Sequence, residues 1–176
     1  MHTKAVSRAA RGLVAAGFVT LRFNFRGVGA SAGQWSGGAG EMADARTALA
    51  HVAALPQPGA LVLGGFSFGA AIALRLGVET APTRGIGALC GIAPPLDRFD
   101  FRFLAASPLP VLLVAGDADP FCPLADLEAL RSAIGAQARI AVLPGAGHLL
   151  LEKLDALERT VRGFALAIGT AAPGPP

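Results

Sequence analysis

Residues 61–71 read LVLGGFSFGAA: an apolar strand, a serine bracketed by glycines, and the start of a helix made of small residues. No other stretch restricts the fold so tightly. A strand that becomes a helix within two residues of Ser67 needs neighbours with almost no side chain, and Gly65 and Gly69 meet that demand. Gly64, Ala70 and Ala71 let the helix pack closely on the strand. This is a G-x-S-x-G pattern in its strand–turn–helix setting, which lifts the serine hydroxyl above the carboxyl edge of a sheet. Read alone, the turn also fits a serine that only caps the helix. Two later residues decide for a nucleophile.

The rest of the chain supplies the elements around that turn. Helical spacing runs over residues 4–16 and stops at Gly17, and the β-branched and aromatic run FVTLRFNF (18–25) predicts a strand. Gly, Ala and Ser load residues 26–40, a loop. Helices are expected over 41–55, 69–78, 124–134 and 149–168, and strands over 60–65, 86–92, 111–115 and 139–143. Strands alternating with helices give an α/β fold with a doubly wound, mostly parallel sheet. Residues 1–169 form one domain, and the Pro-rich residues 170–176 are expected to be a disordered tail.

Composition agrees with that class and narrows the partners. Hydrophobic residues are 53% and charged residues 15% of the chain, as buried parallel strands require. No apolar run approaches the ~20 residues of a bilayer span, and the start lacks a signal peptide's apolar core, so the expected location is cytoplasmic with no membrane partner. The net charge is +3, but the arginines (Arg22, Arg46, Arg84, Arg102, Arg131, Arg162) are scattered, which argues against nucleic acid. Cys90 and Cys122 have no metal-ligand spacing and read as packing residues. No metal and no organic cofactor is expected.

A serine hydroxyl is a weak nucleophile without a base. Of three histidines, His2 is terminal and His51 lies within a helix, whereas His148 stands in the Gly-rich loop LPGAGH after the last strand. Open α/β sheets place their active groups in such loops, at the carboxyl ends of strands. The orienting acid should follow a strand between serine and histidine, and GDADP (116–120) offers two. Asp117 directly follows the glycine and can bond its own turn; Asp119, farther into the loop, is better placed to reach across. Asp119 is chosen, which gives the order Ser, Asp, His.

LRFNFRGVGASAG (21–33), GGFSFG (64–69), GDADPFCP (116–123) and PGAGH (144–148) together resemble the α/β-hydrolase superfamily, and its small, uncapped bacterial hydrolases related to dienelactone hydrolase in particular. The resemblance covers most of the chain. It implies an α/β-hydrolase-type sheet without a lid domain, with Ser67 on the elbow, Asp119 as the acid and His148 as the base. It also implies cleavage of an ester, thioester or related acyl bond of a small-molecule substrate. The short connection 93–107 leaves the site open, with Phe99, Phe101 and Phe103 as candidate lining residues. Residues 27–32 fit G-x-G-x-x-A, but the glycines at 33, 37, 38 and 40 forbid the helix that a dinucleotide's phosphates need. Arg26 in this loop is expected to bond loop carbonyls.

Phe68 supplies one oxyanion N–H donor; the family's second comes from a loop upstream of its first helix. This chain starts at that helix, so by resemblance it is N-terminally truncated, lacking a strand between 18–25 and 61–65. The expectation is that Met1 is internal and that upstream codons encode the strand and loop. The alternative is that the two flanking strands pair directly, in a catalytically impaired fold kept as a binding or interaction module.

Overall fold

The computed structural model describes residues 3–56 and 60–171. Four strands form one parallel sheet in the order β1-β2-β3-β4: β1 (Leu61–Phe66), β2 (Ile86–Ile92), β3 (Val111–Gly116) and β4 (Ala138–Leu143). Leu89 pairs with Val111 and Val111 with Ala138, so side chains in register share a face. Leu89, Val111, Leu113 and Ala115 point towards α2 (Ala39–Ala53), α3 (Phe68–Arg84) and α4 (Leu124–Ile134). Ala88, Cys90, Ile92, Leu112 and Val114 point the other way, onto α1 (Lys4–Ala15) and α5 (Leu154–Ala171). The alternation buries β2 and β3 on both faces between two helical layers, as a doubly wound sheet requires.

Residues 18–25 depart from the expectation: they form no strand. A strand is defined by a paired ladder rather than by composition, and among the described residues β1 pairs with β2 on one edge while its other edge takes no strand. Direct pairing of this segment with β1 is therefore overturned. Its anchor is aromatic instead: Phe25 packs edge-on against Phe23 at 5.2 Å and Phe68 at 5.8 Å, while Val19 and Leu21 stay exposed. α5 starts later than the helical pattern predicts, because Leu150 takes a left-handed conformation and a 3-10 turn (Leu151–Lys153) intervenes. At its other end α5 runs to Ala171, so the helix includes residues 170 and 171 of the expected tail, and 172–176 lie outside the described residues.

The loop before α2 is closed by two carboxylates. Arg26 does not bond loop carbonyls; its backbone N–H and Nε donate to Asp44 Oδ2 at 2.9 and 3.1 Å, and Nη2 donates to Oδ1 at 2.8 Å. Those bonds hold the Asp44 carboxyl below its ordinary range. Glu41 is wholly buried and accepts from Ser36 N–H, Ser36 O–H and Gly38 N–H at 2.8–2.9 Å. Burial pushes its carboxyl up, but those donors outweigh burial and leave it lowered. A carboxyl lowered by folding contributes stability above its ordinary pKa of about 4, and that contribution is lost as pH falls below it. We therefore expect Glu41→Gln to lower the urea midpoint at pH 7 by more than at pH 3; an equal loss at both would show that the charge is not what holds the loop.

At the carboxyl edge, the segment after β4 crosses back over the end of β3. A Cβ on Gly116 would lie 1.9 Å from the Ala146 carbonyl oxygen, which is backbone and cannot swing aside. Gly116→Ala should cost about 1–3 kcal/mol of unfolding free energy, the range for overpacking. Denaturant titration measures it.

Candidate active site

Ser67 caps α3 with φ 53° and ψ −123°, a conformation few L-residues adopt. Two neighbours hold it there: its N–H donates to Ile92 O at 2.9 Å, and its own carbonyl accepts from Ala70 N–H at 2.8 Å. A side chain on Gly65 would strike the Gly69 carbonyl at 2.1 Å, which is why that position is bare. Phe68 is the first residue of α3, so its N–H is among the donors that a helix start leaves without an intrahelical partner.

His148 Nε2 lies 2.8 Å from Ser67 Oγ. Its Nδ1 lies 2.9 and 3.0 Å from the two oxygens of Asp119. Because a carboxylate only accepts, Nδ1 carries the proton and Nε2 is left to accept from the serine hydroxyl. The Asp119 carboxylate is fully buried and also accepts from Phe121 N–H at 2.9 Å, while the His148 side chain is 18% exposed. Phe66 and Phe121 flank the imidazole with ring centroids at 5.2 and 4.8 Å. The structure thus brings Ser67, His148 and Asp119 into one hydrogen-bonded line, with Phe68 N–H beside it.

Asp117 is not part of that line. Its Oδ1 accepts from Gly145 N–H at 2.7 Å and moors the loop leading to His148, rather than bonding within its own turn. Cys122 sits beside the acid; burial, aided by the Asp119 charge, pushes its thiol up to about 12, so it stays protonated. His51 is exposed on α2, away from these groups, and His2 lies outside the described residues. Among the described residues, no three His, Cys, Asp or Glu side chains cluster as metal ligands.

The hydroxyl opens onto a cleft of about 240 Å³ lined by Phe68, Pro95, Arg98, Phe99 and Phe121 together with Ser67 and His148. Of the three phenylalanines expected along the 93–107 connection, only Phe99 faces it; Phe101 is buried and stacks on Phe103. Among the described residues, no lid domain lies over the cleft, and no helix is long and apolar enough to cross a membrane. Arg98 and Phe121 escape a sequence reading, although both stand in loops at strand carboxyl ends, the one signal that could have found them.

Comparison with known proteins places the chain in a family. Residues 46–152 match the family model described as phospholipase/carboxylesterase. An uncharacterised protein of Rickettsia prowazekii is 33% identical over 96% of this chain, which spans 73% of that protein. A protein of unknown function from Agrobacterium tumefaciens superposes with a TM-score of 0.86 at 35% identity, covering 99% of this chain and 82% of that one. An α/β serine hydrolase homologue from Coxiella burnetii superposes with a TM-score of 0.84 at 32% identity, covering 93% and 77%. On this family match, on these relatives and on the sheet that carries the site, the chain belongs to the phospholipase/carboxylesterase family of the α/β-hydrolase superfamily and is an α/β hydrolase.

Proposed function

We propose that the chain is a serine hydrolase that cleaves an ester, thioester or related acyl bond with Ser67, His148 and Asp119 as its catalytic triad. The observation that carries the reading is the unbroken hydrogen-bonded line from the Asp119 carboxylate through the imidazole to the Ser67 hydroxyl. His148 Nε2 takes the hydroxyl proton as Oγ attacks the carbonyl carbon, and the tetrahedral oxyanion forms beside Phe68 N–H. The C–O or C–S bond then breaks, and His148 returns the proton to the leaving group. Water, deprotonated by the same nitrogen, attacks the acyl-enzyme; the acid departs and Ser67 regains its proton. Asp119 fixes the tautomer and stabilises the imidazolium throughout. The family's carboxylesterase description supports an acyl bond as the target.

A fluorophosphonate probe should label the protein, and Ser67→Ala should abolish the label. Labelling that survives would put the nucleophile elsewhere, and a wild-type chain that never labels would favour the binding-module alternative. The two acids separate in a second measurement. Asp119→Asn should lower kcat by about 10⁴, the loss seen when the tautomer is wrong in the serine-protease case. Asp117→Asn should cost far less, because an amide oxygen can still accept from Gly145 N–H. The reverse ranking would move the acid to Asp117.

A further inference from the structure

Most arginines near a carboxylate are hydrogen-bonded to it, whereas Arg98 and Arg11, 3.5 Å from Glu158 Oε2, are not. Arg8, Arg26, Arg46, Arg102 and Arg131 each donate hydrogen bonds to an Asp or Glu. The Arg98 guanidinium has no hydrogen-bonded acceptor among the described residues; its Nε lies 3.6 Å from Asp97 Oδ2, too far for a hydrogen bond. What positions it is a ring. Its guanidinium carbon lies 4.7 Å from the centroid of Phe121, which itself meets the His148 imidazole edge-on. A cation stacked on an aromatic face keeps its in-plane N–H donors pointing outward.

The backbone beneath it is fixed as well. Arg98 N–H donates to Pro95 O at 3.1 Å, and Asp97 N–H donates to Phe121 O at 3.3 Å, joining this loop to the one that carries Asp119. Arg98 is also the one lining residue of the cleft with a permanent charge; the walls next to Ser67 are the rings of Phe68, Phe99 and Phe121. The cleft lining therefore combines aromatic rings beside the nucleophile with a guanidinium that is hydrogen-bonded to no carboxylate among the described residues.

We infer that the substrates are esters or thioesters whose short apolar acyl chain ends in a carboxylate, and that Arg98 binds that carboxylate. This rests on the serine-hydrolase reading for the acyl bond, but not for the anion site. The anion's own contribution is moderate, because Arg98 is 62% exposed and solvent screens exposed pairs.

The test compares the mono-p-nitrophenyl ester of glutaric acid with p-nitrophenyl valerate, which has the same acyl length and no charge. The wild-type chain should favour the glutarate ester in kcat/KM. Arg98→Met should reduce that preference about 2–5-fold, Arg98→Lys should keep part of it, and added salt should erode it. In parallel, free glutarate is titrated by calorimetry against Ser67→Ala and the double variant Ser67→Ala/Arg98→Met. Turnover of both esters with an unchanged preference in Arg98→Met would overturn the anion site and leave the hydrolase standing. No turnover, with glutarate binding that is lost on removing Arg98, would do the opposite. Absence of both signals would sink both.

Discussion

A side chain on Gly65 would have to share space with the Gly69 carbonyl, and the site is arranged around that exclusion. With Gly65 bare, α3 can begin almost on top of β1, and Ser67 is forced into the positive-φ region between them. Such a backbone costs about 1–3 kcal/mol and persists only where its surroundings over-determine it. Here β2 accepts the serine's N–H and α3 supplies the donor to its carbonyl. α3 also buries Leu74 and Leu76, each worth roughly 1.5–3 kcal/mol in transfer terms, so packing more than offsets the strain. The exposed hydroxyl is the outcome of a core decision.

Burial is graded along the line that the turn feeds. Asp119 has no exposed side-chain surface, His148 retains some, and Ser67 faces the cleft. A carboxylate that dry would cost several kcal/mol if it were unpaired. Two partners, the imidazole N–H and the Phe121 N–H, offset that cost and leave the charge aimed at a single nitrogen. The rings of Phe66 and Phe121 restrict the imidazole from turning away. Asp117, exposed and bonded to Gly145, has neither the dryness nor the direction, so two acids in one short loop have different environments.

The sequence made the local features readable. β2 and α4 have the boundaries their patterns predict, because an apolar run between turn residues and a capped amphipathic segment carry their own signals. Residues 18–25 have equally strong strand composition, yet β propensity is a preference for a half-buried pleated surface, and that surface has to be provided by something else. Ser67, Asp119 and His148 could be named as candidates because glycines and strand ends mark their loops. Arg98 could not, since its meaning comes from Phe121, a contact between two loops that no local pattern encodes.

The sheet order poses a geometric problem that the loops answer. Ser67 follows β1 and His148 follows β4, at opposite ends of the order β1-β2-β3-β4. Strands lie about 4.8 Å apart, so three spacings put those ends roughly 14 Å from each other. The hydroxyl and imidazole nonetheless meet at 2.8 Å. The segment after β4 must therefore travel back across the sheet's carboxyl edge, and its route is visible in its moorings. Gly145 N–H bonds Asp117, and Ala118 N–H bonds Ala146 O at 3.1 Å, both on the loop after β3. Passing this low over β3 is possible only because Gly116 has no side chain to block Ala146. Asp119, in the loop that follows the strand being crossed, then stands within hydrogen-bond reach of the imidazole as it arrives. The bare position at the end of β3 thus does for the histidine what Gly65 does for the serine: each lets backbone approach backbone where a Cβ would not fit, and between them they bring the two outer strands' loops together.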